Sequence, residues 1–395
     1  MKKMKTLNLK LNSLVIFRNI LNDEVVEKLR DLLSSYEDDL LMKVNKYSSF
    51  VSTLFEKNHN LSNYLLNLIL EDENIYVKKI GQKLHIESYI EDSLKQELKV
   101  LEEISKLSSV DIIKNIDYEG YLSSWETQKI DFTDMYFKRI NNISKWGYGI
   151  YSKYHTFKAI DGKVVPVNNP DKITLDDLKG YKKERSLVIK NTEALLDNKP
   201  AANVLLYGDA GTGKSSTVKA LVNEYREKGL RLVEISKNQI KDISLIMDTL
   251  GKNPLKFILF IDDLSFTKND NEFGELKAIL EGSIYSKPSN ISIYATSNRR
   301  HMVKEKFSDR DGDDMHLSET IEEIASLSDR FGLMVSFYRP DKKDFLNIVK
   351  ELALQYNVDL YGDKLEREAE KFAVRRSGRS PRIARQFIEY LLTKE

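Results

Sequence analysis

A glycine-rich segment between a strand-like run and a helix-like run most constrains how this chain can fold. Residues 208–215 read GDAGTGKS and match G-x-x-x-x-G-K-[ST]. The apolar run NVLLY precedes the segment, and the helix-like run SSTVKALVNEYREKG begins at its last residue. Glycines let the backbone approach a ligand closely, so its N–H groups point at phosphate oxygens, and the helix adds the positive end of its dipole. The sequence therefore predicts a phosphate-binding loop.

The side chains of this loop have distinct expected roles. Lys214 would reach the β- and γ-phosphates of a nucleotide, and the Ser215 hydroxyl would ligate Mg²⁺. The predicted nucleotide contacts are Gly208, Asp209, Ala210, Gly211, Thr212, Gly213, Lys214, Ser215 and Ser216. The alternative is a glycine turn without a ligand, which leaves the flanking strand and helix unexplained.

A second strand-like run, FILFID at residues 257–262, ends in paired carboxylates. Asp262 at the strand tip suits a Mg²⁺ ligand, and Asp263 is then placed to orient an attacking water. The alternative is that both carboxylates cap the next turn.

Shortly afterwards, TKND at 267–270 matches a guanine-reading pattern of GTPases. It lies only a few residues past the acidic strand, whereas reading the base requires the end of a later strand. We interpret it as a surface turn and expect adenine rather than guanine.

Alternating segments predict an α/β fold with a parallel sheet for the second half of the chain. Strand-like runs lie at 203–207, 230–235, 257–262, 291–296 and 333–337, and helix-like runs lie at 341–356, 363–374 and 381–393.

Helix-breaking residues are rare in the first part of the sequence. The first proline is Pro166, and Gly81 and Gly120 are the only glycines before Gly147. Together with leucine-rich stretches at 22–45, 61–70 and 92–107, this scarcity of helix breakers predicts an all-helical N-terminal region. The predicted divisions are 1–146 (helical), 147–180 (linker), 181–340 (core) and 341–395 (helical).

Composition limits the chemistry. The chain has no cysteine, which excludes disulfides, thiolate nucleophiles, Fe–S clusters and zinc ribbons. Its five histidines are scattered, and its net charge of +1 gives no global argument for a nucleic-acid or membrane partner. No run reaches the roughly 18 apolar residues of a spanning helix, and the basic N-terminus lacks a cleavage site. We expect a cytoplasmic protein whose chemistry uses Lys, Arg, Asp, Ser and Mg²⁺.

The order of these parts resembles the AAA+ ATPase family, which implies an αβα core with a five-stranded parallel sheet and a C-terminal helical lid. YATSN at 294–298 resembles sensor 1 and implies that Asn298 contacts the γ-phosphate or the lytic water, with Thr296 as the alternative. LKGY at 178–181 stands where the family places part of its adenine pocket, which implies contacts from Gly180 and Tyr181.

Two arginines are also assigned by this resemblance. LSDRFG at 327–332 resembles the segment that delivers an arginine finger, Arg330, into the neighbouring subunit's site; pairing with Asp329 or Glu323 is the alternative. GRSPR at 378–382 resembles sensor 2 and implies that Arg382 contacts phosphate. Arg379 and Arg385 are alternatives for that contact.

The motif wording is similar to one uncharacterised bacterial family of AAA+ proteins, catalogued as a domain of unknown function, over roughly residues 145–395. IDDLSF, YATSNRRH, LSDRFGL and RSGRSPRIARQF carry this similarity. It implies a homo-oligomer that binds ATP and Mg²⁺ and hydrolyses ATP to drive change in an unknown partner. Asp263 stands where the commonest AAA+ pattern has Glu, which leaves a slow nucleotide-dependent binding switch (a loader or scaffold) as an alternative. A more distant alternative for the function is a P-loop kinase that phosphorylates a small molecule.

Local charge runs leave the partner open. The chain has no acidic residue from Lys371 to Ile388, and five arginines lie there: Arg375, Arg376, Arg379, Arg382 and Arg385. DNA binding through this segment and a solvated face paired with Glu366, Glu368 and Glu370 are both compatible with the pattern. A second basic point at 299–301 and an acidic stretch at 309–314 are interpreted as surface features.

Overall fold

The computed structural model describes residues 2–264, 271–281, 287–298, 330–376 and 378–393. They divide into two compact units, Met1–Lys153 and Tyr154–Glu395, which we call the N-terminal and C-terminal units. Four features named from the sequence lie outside the described residues: the turn at 267–270, the basic point at 299–301, the acidic stretch at 309–314, and residues 327–329 of the finger segment. Within the described ranges, no helix combines the length and apolar character needed to cross a bilayer.

The N-terminal unit is built from α-helices. They are α1 (Lys2–Asn12), α2 (Glu24–Ser34), α3 (Leu40–Lys57), α4 (Leu61–Glu71), α5 (Ile75–Gly81), α6 (Ser88–Ser105), α7 (Ser109–Ile113), α8 (Phe132–Ile140), α9 (Ile143–Trp146) and α10 (Ile150–Lys153). The stretch 22–45 is broken between α2 and α3, because Asp39 caps a new helix by accepting from the Met42 N–H. Asp23 caps α2 through the N–H groups of Val25 and Val26.

A buried carboxylate holds a turn inside this helical unit. Glu97 on α6 is only 8% exposed, and its Oε1 accepts from the N–H groups of Val15 (2.8 Å) and Ile16 (3.0 Å). Its Oε2 accepts from the Phe17 N–H at 3.0 Å. These three amides follow α1 directly, so Glu97 satisfies donors that would otherwise be left unbonded beside the core.

Replacing Glu97 with Ala should lower the free energy of unfolding of the N-terminal unit by about 2–4 kcal/mol, because charged hydrogen bonds to buried amides are lost. Both tryptophans, Trp125 and Trp146, lie in this unit, so their fluorescence during urea unfolding reports on it. The matched control is Glu103→Ala on the same helix. Glu103 pairs with Lys10 at the surface (2.5 Å), and its loss should cost less than about 1 kcal/mol. Equal losses in the two variants would contradict the anchoring role of Glu97.

The C-terminal unit contains one seven-stranded, mostly parallel sheet. Its strands are β1 (Thr156–Ile160), β2 (Lys163–Pro166), β3 (Val204–Gly208), β4 (Leu230–Glu234), β5 (Lys256–Ile261), β6 (Ile291–Ser297) and β7 (Leu333–Phe337). Their order across the sheet is β2-β1-β4-β5-β6-β3-β7. Among the strands of the described residues, the β1–β2 pair is antiparallel and the other pairs are parallel. The predicted α/β class is confirmed.

The expected number of five strands is wrong. The five runs predicted from the sequence form β3 to β7, but a hairpin of β1 and β2 extends the sheet beyond β4. This hairpin lies inside the predicted linker 147–180, where Asp161 and Gly162 both have positive φ at the turn. Turn residues joining two short strands were interpreted as a connection, because each strand alone is too short to show a periodicity.

Helices cover the sheet and follow it in the chain. They are α11 (Lys182–Leu196), α12 (Lys214–Tyr225), α13 (Ile243–Leu250) and α14 (Asn271–Glu281), and then α15 (Lys342–Gln355), α16 (Gly362–Arg375) and α17 (Pro381–Leu392). The last three enclose a separate apolar core that includes Phe345, Val349, Ala369 and Phe387, and we call them the C-terminal bundle. Ser380 caps α17 by accepting from the Ile383 N–H, and Pro381 occupies its first turn.

Candidate functional site

The glycine-rich loop lies between β3 and α12, as the sequence predicts. Gly208 has φ +129°, and a Cβ there would come within 2.3 Å of the Phe337 carbonyl oxygen, so only glycine fits. Gly211 has φ +80° and faces Ser380 and Arg382 at the start of α17, and its carbonyl accepts from the Arg382 N–H at 3.2 Å. The loop is thus in contact with the C-terminal bundle.

Lys214, the first residue of α12, is buried with its ammonium group inside the loop. Nζ donates to the carbonyl oxygens of Gly208 (2.9 Å) and Asp209 (2.8 Å) and to Asn298 Oδ1 (3.1 Å). Desolvation lowers the pKa of Lys214, while the carboxylates of Asp209, Asp263 and Asp262 act in the opposite direction. A ligand with several negative charges would replace the lost solvation of this ammonium group.

The two aspartates lie beside Lys214, and one hydroxyl links the Asp262 carboxylate to the backbone of Asp263. Thr296 Oγ1 donates to Asp262 Oδ1 (2.6 Å) and accepts from the Asp263 N–H (2.9 Å). Ser215 Oγ also donates to Asp262 Oδ1 at 2.6 Å. Asp263 has φ +52°, an uncommon backbone conformation for a residue with a side chain, and its Oδ1 accepts from Asn298 Nδ2 at 2.8 Å.

The donor set fits Mg²⁺. The Ser215 hydroxyl and the Asp262 carboxylate lie 2.6 Å apart and are hard oxygen donors of the kind that Mg²⁺ prefers. Among the described residues, no cluster of three or more His, Cys, Asp or Glu side chains could hold a metal alone. An ion at Ser215 and Asp262 would therefore complete its shell with phosphate oxygens and water.

These groups line a cavity of about 420 Å³. Of the predicted site residues, the following line it: Ala210, Gly211, Thr212, Gly213, Lys214, Ser215, Ser216, Asp262, Asp263, Asn298 and Arg382. Five cationic side chains border it (Lys179, Arg185, Lys214, Arg382 and Arg385), against three carboxylates (Asp177, Asp262 and Asp263). This excess of positive charge suits a polyanion.

One part of the cavity wall is apolar. Ile173 and Leu178 come from residues 173–181, a segment we call the strap, and Ile348 and Leu352 come from α15. These two pairs provide the surfaces that a planar base needs. The sequence interpretation missed Ile173, Asp177, Arg185, Ile348 and Leu352, because residues far apart in the chain carry no local motif that would connect them to the loop.

Four predicted nucleotide contacts are not among the cavity-lining residues. Gly208 contributes its carbonyl to Lys214, while the Asp209 carboxylate accepts from the Arg339 N–H at 2.8 Å. Gly180 packs against Ile348, where a Cβ would come within 2.7 Å. Tyr181 stacks on Phe337 with ring centroids 5.2 Å apart and donates its hydroxyl to the Tyr338 carbonyl. Gly180 and Tyr181 therefore support the cavity from behind its wall.

The predicted arginine finger lies outside the cavity of its own chain. Arg330 pairs with Glu281, the last residue of α14, and both side chains are about one-third exposed. The cavity-lining residues do not include Arg330.

The arginines of the C-terminal bundle separate into different environments. Arg379 forms two hydrogen bonds with the Glu370 carboxylate, at 2.9 and 2.6 Å. Arg382 and Arg385 line the cavity, and Arg385 donates to the Asp177 carbonyl at 3.2 Å. Arg375 and Arg376 are exposed, and Arg376 lies over the Phe372 ring at 5.5 Å. Of the five arginines, only these last two are exposed and outside both the cavity and the Arg379 ion pair.

A phosphate loop after β3, paired carboxylates after β5 with β6 between these two strands, and a mostly parallel sheet followed by a helical bundle define a P-loop protein of the AAA+ ATPase type. Residues 151–395 match the family described as "Protein of unknown function (DUF815)", and the chain belongs to that family. The resemblance found in the motifs is therefore confirmed.

Comparisons outside the family are more distant. The chain is 22% identical over 306 residues to proteasome-activating nucleotidase 1 of Haloferax volcanii, covering 70% of this chain and 65% of that protein. It thus spans about two-thirds of the length of this curated relative. Two structures of the RuvB Holliday junction branch migration motor of Thermotoga maritima, one a mutant, cover 55% of this chain and 63% and 64% of theirs. Their identities are 19% and 17% and their TM-scores 0.37 and 0.38, values that carry no argument about function.

Thr296→Val should weaken Mg²⁺ binding at this site about 10-fold or more, because it removes the hydroxyl that orients the Asp262 carboxylate and bonds the Asp263 N–H. The measurement is a Mg²⁺ titration at fixed concentration of a fluorescent adenine nucleotide. Thr296→Ser keeps the hydroxyl and serves as the control, with an expected affinity close to that of the wild type. If the Val and Ser variants bind Mg²⁺ equally, Thr296 does not organise the acid pair.

Proposed function

We propose that this protein is a Mg²⁺-dependent ATPase of the AAA+ type that converts ATP to ADP and phosphate and drives a conformational change in a partner. One observation carries the proposal. The Lys214 ammonium group, the Asp262–Asp263 pair and Asn298 meet in one cationic cavity, connected by hydrogen bonds. That combination supplies charge for phosphates, ligands for a metal and a carboxylate for water.

Each group has a role in the proposal. Ser215 and Asp262 would hold Mg²⁺, which supplies charge stabilisation at the phosphates. Lys214, the loop N–H groups and Arg382 would bind the phosphates, and the apolar slot between the strap and α15 would take the adenine. Asp263 would accept a proton from the attacking water, and Asn298, bonded to both Lys214 and Asp263, would orient that carboxylate relative to the phosphate.

The proposal includes an oligomer in which Arg330 acts on the neighbouring subunit. What supports it is the position of Arg330 outside its own cavity, paired with Glu281. A guanidinium group added to the site by a neighbour would stabilise charge that develops in the transition state. The cytoplasmic location expected from the sequence is kept as part of this proposal.

Asn298 and Asp263 also favour a second candidate, a slow nucleotide-dependent binding switch. The Asp263 carboxylate is one methylene shorter than the usual Glu and is bonded to Asn298. A carboxylate held this way has less reach toward a water, so turnover would be slow. A steady-state rate above about 10 per second would contradict this candidate. A small-molecule kinase is less well supported, because it gives no role to Arg330.

A switch that acts on DNA should bind it with an affinity that depends on the nucleotide. Of the five arginines between residues 371 and 388, Arg375 and Arg376 are exposed and lie outside both the cavity and the Arg379 ion pair, so we expect weak binding through this segment with a shallow dependence on salt. DNA affinity at defined salt with ATP, with ADP and without nucleotide separates the candidates. Equal affinities in all three conditions would exclude a DNA-loading switch and leave a protein partner.

Mixing two inactive variants tests the shared site. Asp263→Asn should keep nucleotide binding and an intact Arg330 but lose turnover, and Arg330→Ala should keep binding and an intact Asp263. Each alone should lose about 10³-fold or more in rate, the scale of an arginine finger. An equimolar mixture should regain at least about a tenth of the wild-type rate, because Arg330 of one subunit completes the site of the other.

Lys214→Ala is the control for binding, since it should abolish the fluorescent-nucleotide signal that the other two variants keep. A mixture that stays as inactive as its components, although size measurements show mixed oligomers, would exclude Arg330 acting in trans. Specific activity that does not change with protein concentration would exclude it as well.

A further inference from the structure

Arg185, on the first turn of α11, is a buried cation that the proposed chemistry does not use. It is 7% exposed, and its Nη2 donates to the Leu178 carbonyl at 2.7 Å and to the Gly180 carbonyl. Within the described parts of the chain, no carboxylate lies within ion-pair distance of its guanidinium group. Burial lowers the pKa of Arg185. Placing this charge inside the protein is costly, so a function for it is expected.

The two carbonyls that Arg185 binds belong to the strap at its most constrained point. Gly180 and Tyr181 are consecutive residues with φ +71° and +50°, both in the left-handed region. Such a conformation is unfavourable for tyrosine and persists only when the surroundings hold it. Arg185 does so from one side, and Tyr181 is fixed on the other side by Phe337 and the Tyr338 carbonyl.

The strap is also tied to the C-terminal bundle through Asp177. Its Oδ1 accepts from Gln355 Nε2 at 3.1 Å, and its backbone carbonyl accepts from Arg385 at 3.2 Å. The strap side of the apolar slot, Ile173 and Leu178, is thus held against Ile348 and Leu352. Hydrogen bonds at the middle and near the C-terminal end of the strap therefore hold this side of the slot in place.

These hydrogen bonds determine which backbone groups of the strap are still available to bond a nucleobase. The carbonyls of Asp177, Leu178 and Gly180 are occupied by arginine donors. Lys179 lines the cavity, and among the described residues its backbone N–H and carbonyl have no hydrogen-bond partner. Adenine presents a donor at position 6 where guanine presents an acceptor. A base that meets these two groups finds them in one order only while the strap is held in place, so the strap favours one of the two bases. Adenine is the base expected from the sequence.

We infer that Arg185 is a positioning residue for the nucleobase: it fixes the strap so that the slot selects adenine over guanine. The inference rests on the proposed nucleotide-binding function and names the element responsible for its base selectivity. Arg185 acts through the Leu178 and Gly180 carbonyls and leaves phosphate binding to Lys214 and the loop. Base selectivity and phosphate affinity should therefore respond separately to changes at Arg185.

The test uses the full chain with Arg185→Lys and Arg185→Met. Lysine keeps the charge, but its shorter side chain does not place a donor where Nη2 of Arg185 meets the two carbonyls, and methionine removes the charge and all donors. Dissociation constants are measured for Mg·ATP, Mg·GTP and inorganic tripolyphosphate with Mg²⁺. We expect affinity for ATP to fall at least about tenfold and the ATP-over-GTP preference to approach one, because the site no longer fixes its polar groups. Tripolyphosphate affinity should change less than about twofold, since it reports the phosphate loop alone.

Lys183→Met, an exposed charge on the same helix, is the matched control and should keep the wild-type preference. Circular dichroism establishes folding, and if the Met variant does not fold, the Lys variant decides. An unchanged ATP-over-GTP ratio in a folded Arg185→Lys variant overturns the inference, as does a wild-type protein without base preference. Equal losses for ATP and tripolyphosphate also overturn it, because Arg185 would then act on the loop. If the wild type binds neither ATP nor tripolyphosphate, the proposed function itself fails.

Discussion

The site depends on how three parallel strands are hydrogen-bonded. β6 lies between β3 and β5, with Leu206 paired to Thr296 on one side and Ile261 paired to Ala295 on the other. Because these strands run in the same direction, the segments that follow them emerge at the same edge of the sheet. The phosphate loop, the acid pair and Asn298 are therefore neighbours although up to 90 residues separate them in the chain. A shift of one residue in either pairing would turn Thr296 away from Asp262.

The parts of the site that could be predicted from sequence are those whose geometry is local. The loop between β3 and α12 and the acids after β5 each combine a strand end with a short motif. The local sequence therefore predicts both where these residues lie and what they can bind. The strap is different. Gly180 and Tyr181 were expected to contact the nucleotide, whereas their left-handed backbone places them behind the wall that Leu178 and Lys179 form. Arg185 had no motif at all, and its role follows only from burial and two carbonyl contacts.

The strands of the sheet also divide into those that the local sequence predicts and those that it does not. Runs of four to six buried apolar residues predicted the central strands, because a strand covered on both faces is apolar throughout. β1 and β2 are short and partly exposed, so their sequence does not differ from that of a connection. Their place beside β4 depends on pairing between segments about 75 residues apart, such as Phe157 with Val233, and a single-sequence pattern contains no information on such pairing.

The contact between the phosphate loop and α17 links the site to the C-terminal bundle. Lys214 already donates to Gly208, Asp209 and Asn298, so a phosphate group that approaches it must replace some of these acceptors. The same loop is bonded through Gly211 to the Arg382 N–H at the start of α17, and α17 packs into the bundle core through Phe387. A rearrangement of the loop would therefore act on the whole bundle, because its helices share one close-packed core. The strap adds a second connection, since Asp177 binds both Gln355 and Arg385. A ligand proposed to occupy both the phosphate end and the apolar slot would act on the same three helices through both connections.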